Sequence, residues 1–389
     1  MSYDFDRVID RRGTNSTKWK LYGPDVLPLW VADMDFPAPE LVQEALGCAV
    51  EHGIFGYEFP TKKLRETVAA RMEKLYGWRV PPEAVVAIPG VIAGFVAAAN
   101  AVCGAGEGVL IQPPVYPPFL SVHEKAGLVR QFAPLKYIAH NHVIHYEIDW
   151  DGFEIGLNSE ATHTGMFLLC NPHNPSGKVF SHADLVRMAE LCLNNGTVIC
   201  SDEIHSELLF SGAQHIPLAA LSPEIADRTI TLVAPSKAFN VAGLYCAFAI
   251  IPDPDLLRRY KKTTERMTMH LNSLGLVAAQ AAYSGACDGW LKDLLIYLEG
   301  NRNFLVDFVK REFSGIRITV PEATYLAWLD CREMNLLPSP HKYFLEQAKV
   351  ALNDGAEFGP GGEGFVRLNF GCPRKTLEEA LGRMRQALL

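Results

Sequence analysis

Lys237 stands in Ser236-Lys237-Ala-Phe-Asn240, directly after the apolar run TITLVAP. Small and apolar neighbours disfavour an ammonium ion, and a neutral lysine amine is the nucleophile that Schiff-base chemistry with a carbonyl requires. An exposed turn lysine is the ordinary alternative. Asp202 ends another apolar run, TVICS, and opens Asp202-Glu203-Ile204-His205. Acids are rarely buried without a partner. A protonated pyridine nitrogen would be such a partner, with the carboxylate keeping the ring an electron sink; a plain helix cap would also put an aspartate there.

Three more apolar runs end in usable groups. MFLLC leads into Asn171-Pro-His-Asn-Pro-Ser-Gly177, a loop stiffened by two Asn-Pro steps, from which the Asn174 amide can donate to a phenolate oxygen. GVLIQ leads into PPVYPPF, where the Tyr116 ring either lies flat on an aromatic cofactor or packs on its own prolines. VVAIP leads into Gly90-Val91-Ile92, a helix start whose free amides and dipole can bind phosphate, although glycine is also common in an ordinary strand-helix turn. Each group alone has a bland explanation. Their order does not: a phosphate turn, a stacking tyrosine, Asn174, Asp202 28 residues later and Lys237 35 later again.

The elements that must hold these groups are legible in the same runs. From about Val85 to Ile251, continuous Val/Ile/Leu stretches (VVAIP, GVLIQPP, MFLLCNP, TVICSDE, TITLVAPS, CAFAIIP) alternate with helical stretches. Strands without polar alternation are buried on both faces, as in a mostly parallel sheet with crossover helices. In such sheets ligands bind outside the carboxyl ends of the strands, where the five groups lie. The first 40 residues read as an irregular arm, followed by a helix from about Glu40 to His52. Helices are also expected near Leu271 to Ser284 and onward through about Lys310. The strand-like ITVPEATYLAWLD and GEGFVRLNFG then alternate with helices, which suggests a smaller α+β unit. The expected organisation is an arm and part of the small domain at 1–49, a large α/β/α domain at 50–285 and a C-terminal small domain at 286–389.

Composition narrows the partners. A chain of 389 residues, 49% hydrophobic, can bury a large core, and a net charge of -8 with no basic run argues against nucleic acid or an anionic membrane as the main partner. Nine scattered cysteines without C-x-x-C spacing suggest reduced core thiols. His140, His142 and His145 are not spaced for a metal, and no metal is expected. With no signal-like N-terminus and no long apolar stretch, the expectation is a soluble, cytoplasmic protein.

Through NPHNPSG, SDEIH and SKAFN the sequence resembles the class I/II aminotransferase superfamily of pyridoxal-5'-phosphate enzymes, fold type I. It is most similar to its carbon-sulfur lyase branch, the cystathionine beta-lyases of the MalY/PatB kind, through WVADMDFPAP, GIFGYEF, SDEIHSEL, SKAFNVAGL, TYLAWLD and GFVRLNFGCPR. The resemblance implies β-elimination from a sulfur amino acid. Lys237 would carry the cofactor and move the substrate α proton, with Tyr116 stacking on the ring and serving as a second proton donor. Asp202 would pair with the ring nitrogen, and Asn174 and His205 would lie at the ring oxygen. Ser236 with the amides of Val91 and Ile92 would hold the phosphate. Tyr57 would reach the phosphate of a neighbouring subunit in a homodimer. Arg367 would pair with the substrate carboxylate, with Asp33 and Tyr57 also on the substrate side. Two departures stand out: Tyr245 replaces an arginine that many members use on the phosphate, and Ala234 replaces a serine. His205 stands where aminotransferases usually carry a tyrosine, which weakens an aminotransferase reading without removing it. A regulatory binding protein is the alternative from another class.

Overall fold

The computed structural model describes residues 3–159 and 161–389; the first two residues of the expected arm lie outside that range. A seven-stranded sheet forms the centre, in the order Val85–Ile88, Ala247–Ile250, Thr229–Val233, Val198–Asp202, Thr164–Cys170, Gly108–Ile111, Val129–Phe132. Ala247–Ile250 runs antiparallel to both its neighbours, and the strands from Thr229–Val233 to Val129–Phe132 pair in parallel. Every residue of Thr164–Cys170, Val198–Asp202 and Thr229–Val233 is buried, as their unbroken apolar runs require.

The pleat divides these strands between two cores. Leu168 and Cys200 pack with Phe95 and the helix Val91–Val102 on one face. Phe167, Leu169 and Ile199 pack with Phe153, Leu185 and Met188 on the other, beneath the helices Trp150–Leu157 and His182–Asn194. The second of those helices starts at a capping box, Ser181 and Asp184 each accepting from the other's backbone.

A six-stranded sheet covers one end: Asn353–Asp354, Phe365–Asn369, Leu326–Asp330, Arg317–Thr319, Val143–Glu147, Lys136–His140. Its last two strands form an antiparallel hairpin that comes from the middle of the chain, with Val143 paired to Ile318 in parallel. The sequence reading contained no strands there. Lys136–His140 is largely exposed and carries no continuous apolar run, so it lacks the signature by which the central strands were found.

Three expected helices are present as Glu40–His52, Ser273–Tyr283 and Asp288–Glu312. The arm is more ordered than an irregular lead-in. Leu27–Pro28 pairs in parallel with Val350–Ala351, and the Asn369 amide donates to Leu29 O at 2.9 Å. The segment is thereby threaded along the C-terminal strands toward the central sheet.

One glycine sets how closely the helix Ser273–Tyr283 approaches the turn beyond Lys237. A Cβ at Gly275 would lie 2.3 Å from the Leu244 carbonyl oxygen, in the Ala242–Leu244 turn. Backbone on both sides leaves nothing flexible to yield. Gly275→Ala is expected to lower stability by about 1–3 kcal/mol, read as a lower denaturant midpoint at unchanged m-value.

Candidate active site

The carboxyl ends of five strands of the central sheet surround a cavity of about 390 Å³. Pro89 and Gly90 follow one strand and Tyr116 follows another, Cys170 and Asp202 end two more, and Ser236 and Lys237 follow the last. Eight of the residues given a site role in the sequence line this cavity: Val91, Ile92, Tyr116, Asn174, Asp202, His205, Ser236 and Lys237.

Lys237 sits in the short helix Pro235–Ala238, and its Nζ donates to Ala32 O at 2.7 Å. Burial, reinforced by the nearby Arg367 charge, pushes the ammonium down to about 8 against the pull of Asp33 and Asp202. The neutral amine is thus accessible at mildly alkaline pH.

Asp202 closes its strand with Oδ1 accepting from the Ile204 amide at 3.2 Å. It forms no ion pair among the described residues. Burial pushes its carboxyl up to about 7; the Ile204 amide and Lys237 oppose this and Glu203 adds to it. A carboxyl so placed calls for a cation that the surrounding protein does not supply.

Arg367 poses the complementary case. It is the central residue of the fully buried strand Phe365–Asn369. Its Nη1 donates to Asn174 Oδ1 at 3.0 Å, and Nη2 donates to Trp30 O at 2.9 Å and Asn353 Oδ1 at 2.6 Å. The guanidinium lies over the Phe358 ring, 5.1 Å from its centroid, and Nε has no partner among the described residues. Every acceptor it meets is neutral, and burial pushes it down to about 10. It sits directly behind Asn174 at the cavity wall, where a carboxylate ligand would supply the missing charge.

His205 is buried edge-on to the Tyr325 ring, 6.3 Å between centroids, with Nδ1 unpartnered among the described residues. Burial, then Lys237 and Arg367, hold its pKa well below the ordinary histidine value, so the imidazole is neutral. Burial raises the Tyr116 phenol, which keeps its proton. The Tyr116 amide donates to Asn174 O at 3.1 Å, tying the tyrosine loop to the asparagine loop. The helix Val91–Val102 begins beyond Gly90, which offers no side-chain cap, so its first amides remain available to an anion.

This donor set suits a pyridine cofactor with a phosphate. An unpaired buried carboxyl fits a ring cation, an uncapped helix start beside Ser236 fits a phosphate, and an amine with a lowered pKa fits a carbonyl. The family profile "Aminotransferase class I and II" matches residues 25–384. The chain belongs to the class I and II aminotransferase family. It is 41% identical to the cystathionine beta-lyase PatB of Bacillus subtilis over 99% of this chain and 100% of that one. Among solved structures, the PLP-bound C-S lyase of Staphylococcus hominis superposes with a TM-score of 0.92 at 33% identity, covering 100% of this chain and 99% of that one. Cystalysin of Treponema denticola, which contains pyridoxal 5'-phosphate, superposes with a TM-score of 0.93 at 30% identity over 100% and 99%. The α/β architecture is therefore the type I fold of pyridoxal-5'-phosphate enzymes along its whole length.

Three residues given a site role in this class I and II chain do not line the cavity: Asp33, Tyr57 and Arg367, the last standing behind Asn174. Asp33 is engaged with Arg11, Oδ2 to Nη2 at 2.9 Å; its neighbour Ala32 lines the cavity and offers its carbonyl. Tyr57 is fully exposed, with Ile54, Phe55 and Phe59 exposed around it. Tyr245, in the arginine position, lines the cavity mouth with a positive φ of 51°. Sequence reasoning missed Asn353 and the carbonyls of Trp30 and Ala32. The arm motif WVADMDF contains both carbonyls, but a backbone group has no side-chain signature; Asn353 carried no signal at all.

The raised Asp202 carboxyl links function to stability. Above about pH 4 the unfolded chain releases this proton while the folded cofactor-free protein keeps it until about pH 7, so stability falls across that window. Asp202→Asn removes the penalty. In cofactor-free protein the variant should be more stable than the parent by a margin that grows from pH 4 to pH 7 and then levels, as chemical denaturation at a series of pH values would reveal.

Proposed function

We propose that the protein is a pyridoxal-5'-phosphate-dependent carbon-sulfur lyase, acting on cystathionine or a cysteine S-conjugate, with one water consumed, to give a thiol, pyruvate and ammonia. The observation that carries the reading is the pairing of opposite deficits around one cavity: Asp202 lacks a cation and Arg367 lacks an anion. A pyridine nitrogen and an amino-acid carboxylate fill those roles. Full-length similarity to a cystathionine beta-lyase supports elimination over amino transfer, as does His205 in place of the aminotransferase tyrosine.

When bound, the cofactor supplies an electron sink conjugated to the substrate α carbon. Lys237 Nζ would hold the cofactor at its carbonyl carbon, and the same amine is placed to take the substrate α proton. The lowered pKa of Lys237 suits that base role. The Arg367 guanidinium would orient the substrate by its carboxylate. Asp202 would keep the ring nitrogen protonated, Asn174 and His205 would bear on the ring oxygen, and Tyr116 would cover the ring. Ser236 and the amides of Val91 and Ile92 would hold the phosphate. The departing sulfur receives its proton from Lys237 Nζ or from the Tyr116 hydroxyl, which is protonated at neutral pH.

Tyr57 fits this scheme only in an assembly. A tyrosine and three apolar neighbours exposed on one short stretch are poorly suited to water. In a homodimer, Tyr57 would reach the phosphate site of the other subunit. The cofactor-binding unit is proposed as 50–285, with 286–389 as the smaller one and 1–49 as the arm that joins it. The absence of any helix long and apolar enough to span a membrane, among the described residues, fits the cytoplasmic location we propose.

The assay is purified protein with L-cystathionine and added cofactor, following pyruvate and thiol together and amino transfer to 2-oxo acids in parallel. Stoichiometric pyruvate and thiol are expected; amino transfer without pyruvate would reject the lyase reading. Lys237→Ala should abolish elimination. Arg367→Lys should raise KM by about 10–100-fold, the worth of one charge-assisted pair at about 1.5–3 kcal/mol, with a smaller change in kcat.

A further inference from the structure

Asp202 is followed by a second buried carboxylate. Strand alternation places Cys200 and Asp202 on the face covered by the helix Val91–Val102, and Ser201 and Glu203 on the opposite face. Glu203 is 1% exposed and lines no part of the cavity. It is nonetheless fully provided with donors. Oε1 accepts from Ser201 Oγ at 2.8 Å and from the Leu218 amide at 3.1 Å, and Oε2 lies 2.8 Å from His215 Nε2.

The protonation pattern follows from the partners. His215 Nδ1 has none among the described residues, and the ring packs edge-on to Tyr76 at 5.5 Å. With its proton on Nε2, the His215 ring leaves no buried N–H unpaired. Glu203 is thus met by a hydroxyl, a backbone amide and an imidazole nitrogen, and no lysine or arginine pairs with it among the described residues.

We infer that Glu203 is a positioning residue for the cofactor-ring site, a carboxylate held next to Asp202 by Ser201, Leu218 and His215 with no lysine or arginine paired to it, whose charge strengthens the grip of Asp202 on a protonated ring nitrogen. The inference rests on the cofactor reading above and adds a residue to it. The groups that face Asp202 are Lys237, Tyr116, Cys170 and Cys200. Those around Glu203 are Ser201 and His215, with Tyr76 beyond and the buried Arg71–Glu207 pair next along the chain. Arg71 is already engaged by Glu207 and Asp288, so it is not available to neutralise Glu203. The raised Asp202 carboxyl, to which Glu203 contributes, agrees with this arrangement.

The test uses holoenzyme reconstituted with cofactor labelled with nitrogen-15 in its ring, with the ring-nitrogen chemical shift followed against pH. Glu203→Gln preserves size and the acceptor for Ser201 and Leu218 while removing the charge; its amide donates to His215 Nε2, which moves the imidazole proton to Nδ1, a change that His215→Gln separates from the charge. His215→Gln keeps a donor to Glu203 and leaves its charge in place. In Glu203→Gln the ring nitrogen should lose its proton about one pH unit lower than in the parent, the scale of one charge acting across a single residue at an intermediate dielectric. His215→Gln should titrate with the parent. An unshifted Glu203→Gln, or a His215→Gln shifted as far as Glu203→Gln, would overturn the inference, the second by showing that scaffold geometry rather than charge is at work. Failure of the parent to bind the labelled cofactor would instead defeat the cofactor reading, and is seen before any variant is compared.

Discussion

Around one cavity the protein keeps a carboxyl, a guanidinium and an amine away from water, each without a counter-ion of its own. Burying such groups costs several kcal/mol apiece when they must be charged, and the directions of their shifts record that cost: Asp202 up, Lys237 and Arg367 down. Nothing in packing alone would select this arrangement. It becomes favourable once a ligand brings a ring cation to Asp202 and a carboxylate to Arg367, and the rest of the structure is organised to hold the three groups until that happens.

Three separate parts of the chain do the holding. Parallel strands aim Asp202 and the Lys237 segment out of the same sheet edge, because parallel neighbours end on the same side. The C-terminal strand Phe365–Asn369 brings Arg367 in from the second sheet. The arm passes between them: Ala32 O receives both Lys237 Nζ and the Tyr325 hydroxyl, and Trp30 O receives Arg367. One short stretch of arm backbone, residues 30–32, therefore fixes both Lys237, beyond the central sheet, and Arg367, on the second sheet. Its position depends in turn on Asn240, whose side chain bonds the backbone of Met34 and Phe36, so the Lys237 turn and the arm locate one another.

What was readable in the sequence and what was not divides along the same physics. Val198–Asp202 ends in a carboxylate and Thr229–Val233 leads through Ala234-Pro235 into Ser236-Lys237, so both strands and the polar groups beyond them were visible, and Asp202 and Lys237 line the cavity. The hairpin Lys136–Glu147 has alternating and largely exposed residues, and its partner strand begins at Arg317; neither local pattern nor spacing announces that pairing. Asp33 illustrates a different gap. The motif around it was placed on the substrate side through Asp33, but the atom that reaches Lys237 is the carbonyl of Ala32, which lines the cavity, while the Asp33 carboxylate turns to Arg11. Residue types report side-chain chemistry, and where the backbone does the work they point one position wide. Asn353 is harder still, since its role exists only through the pairing Asn353–Arg367 across two strands.

The same chain contains a set of buried charges that serves as an internal comparison. Lys18 and Asp35 are as inaccessible as Asp202, yet they lie 2.8 Å apart, and Arg11 adds a contact to Asp35 at 2.7 Å. Burial acts against both ions, but their mutual attraction wins: Lys18 is raised and Asp35 lowered, each held in its charged form. That cluster is complete within the fold and locks the arm. At the cavity the balance runs the other way for a lysine and an aspartate of the same chain, and the difference is the missing partner rather than the depth of burial. Charge pairs that close on themselves fix the scaffold, and charges left open mark where the molecule expects something that is not protein.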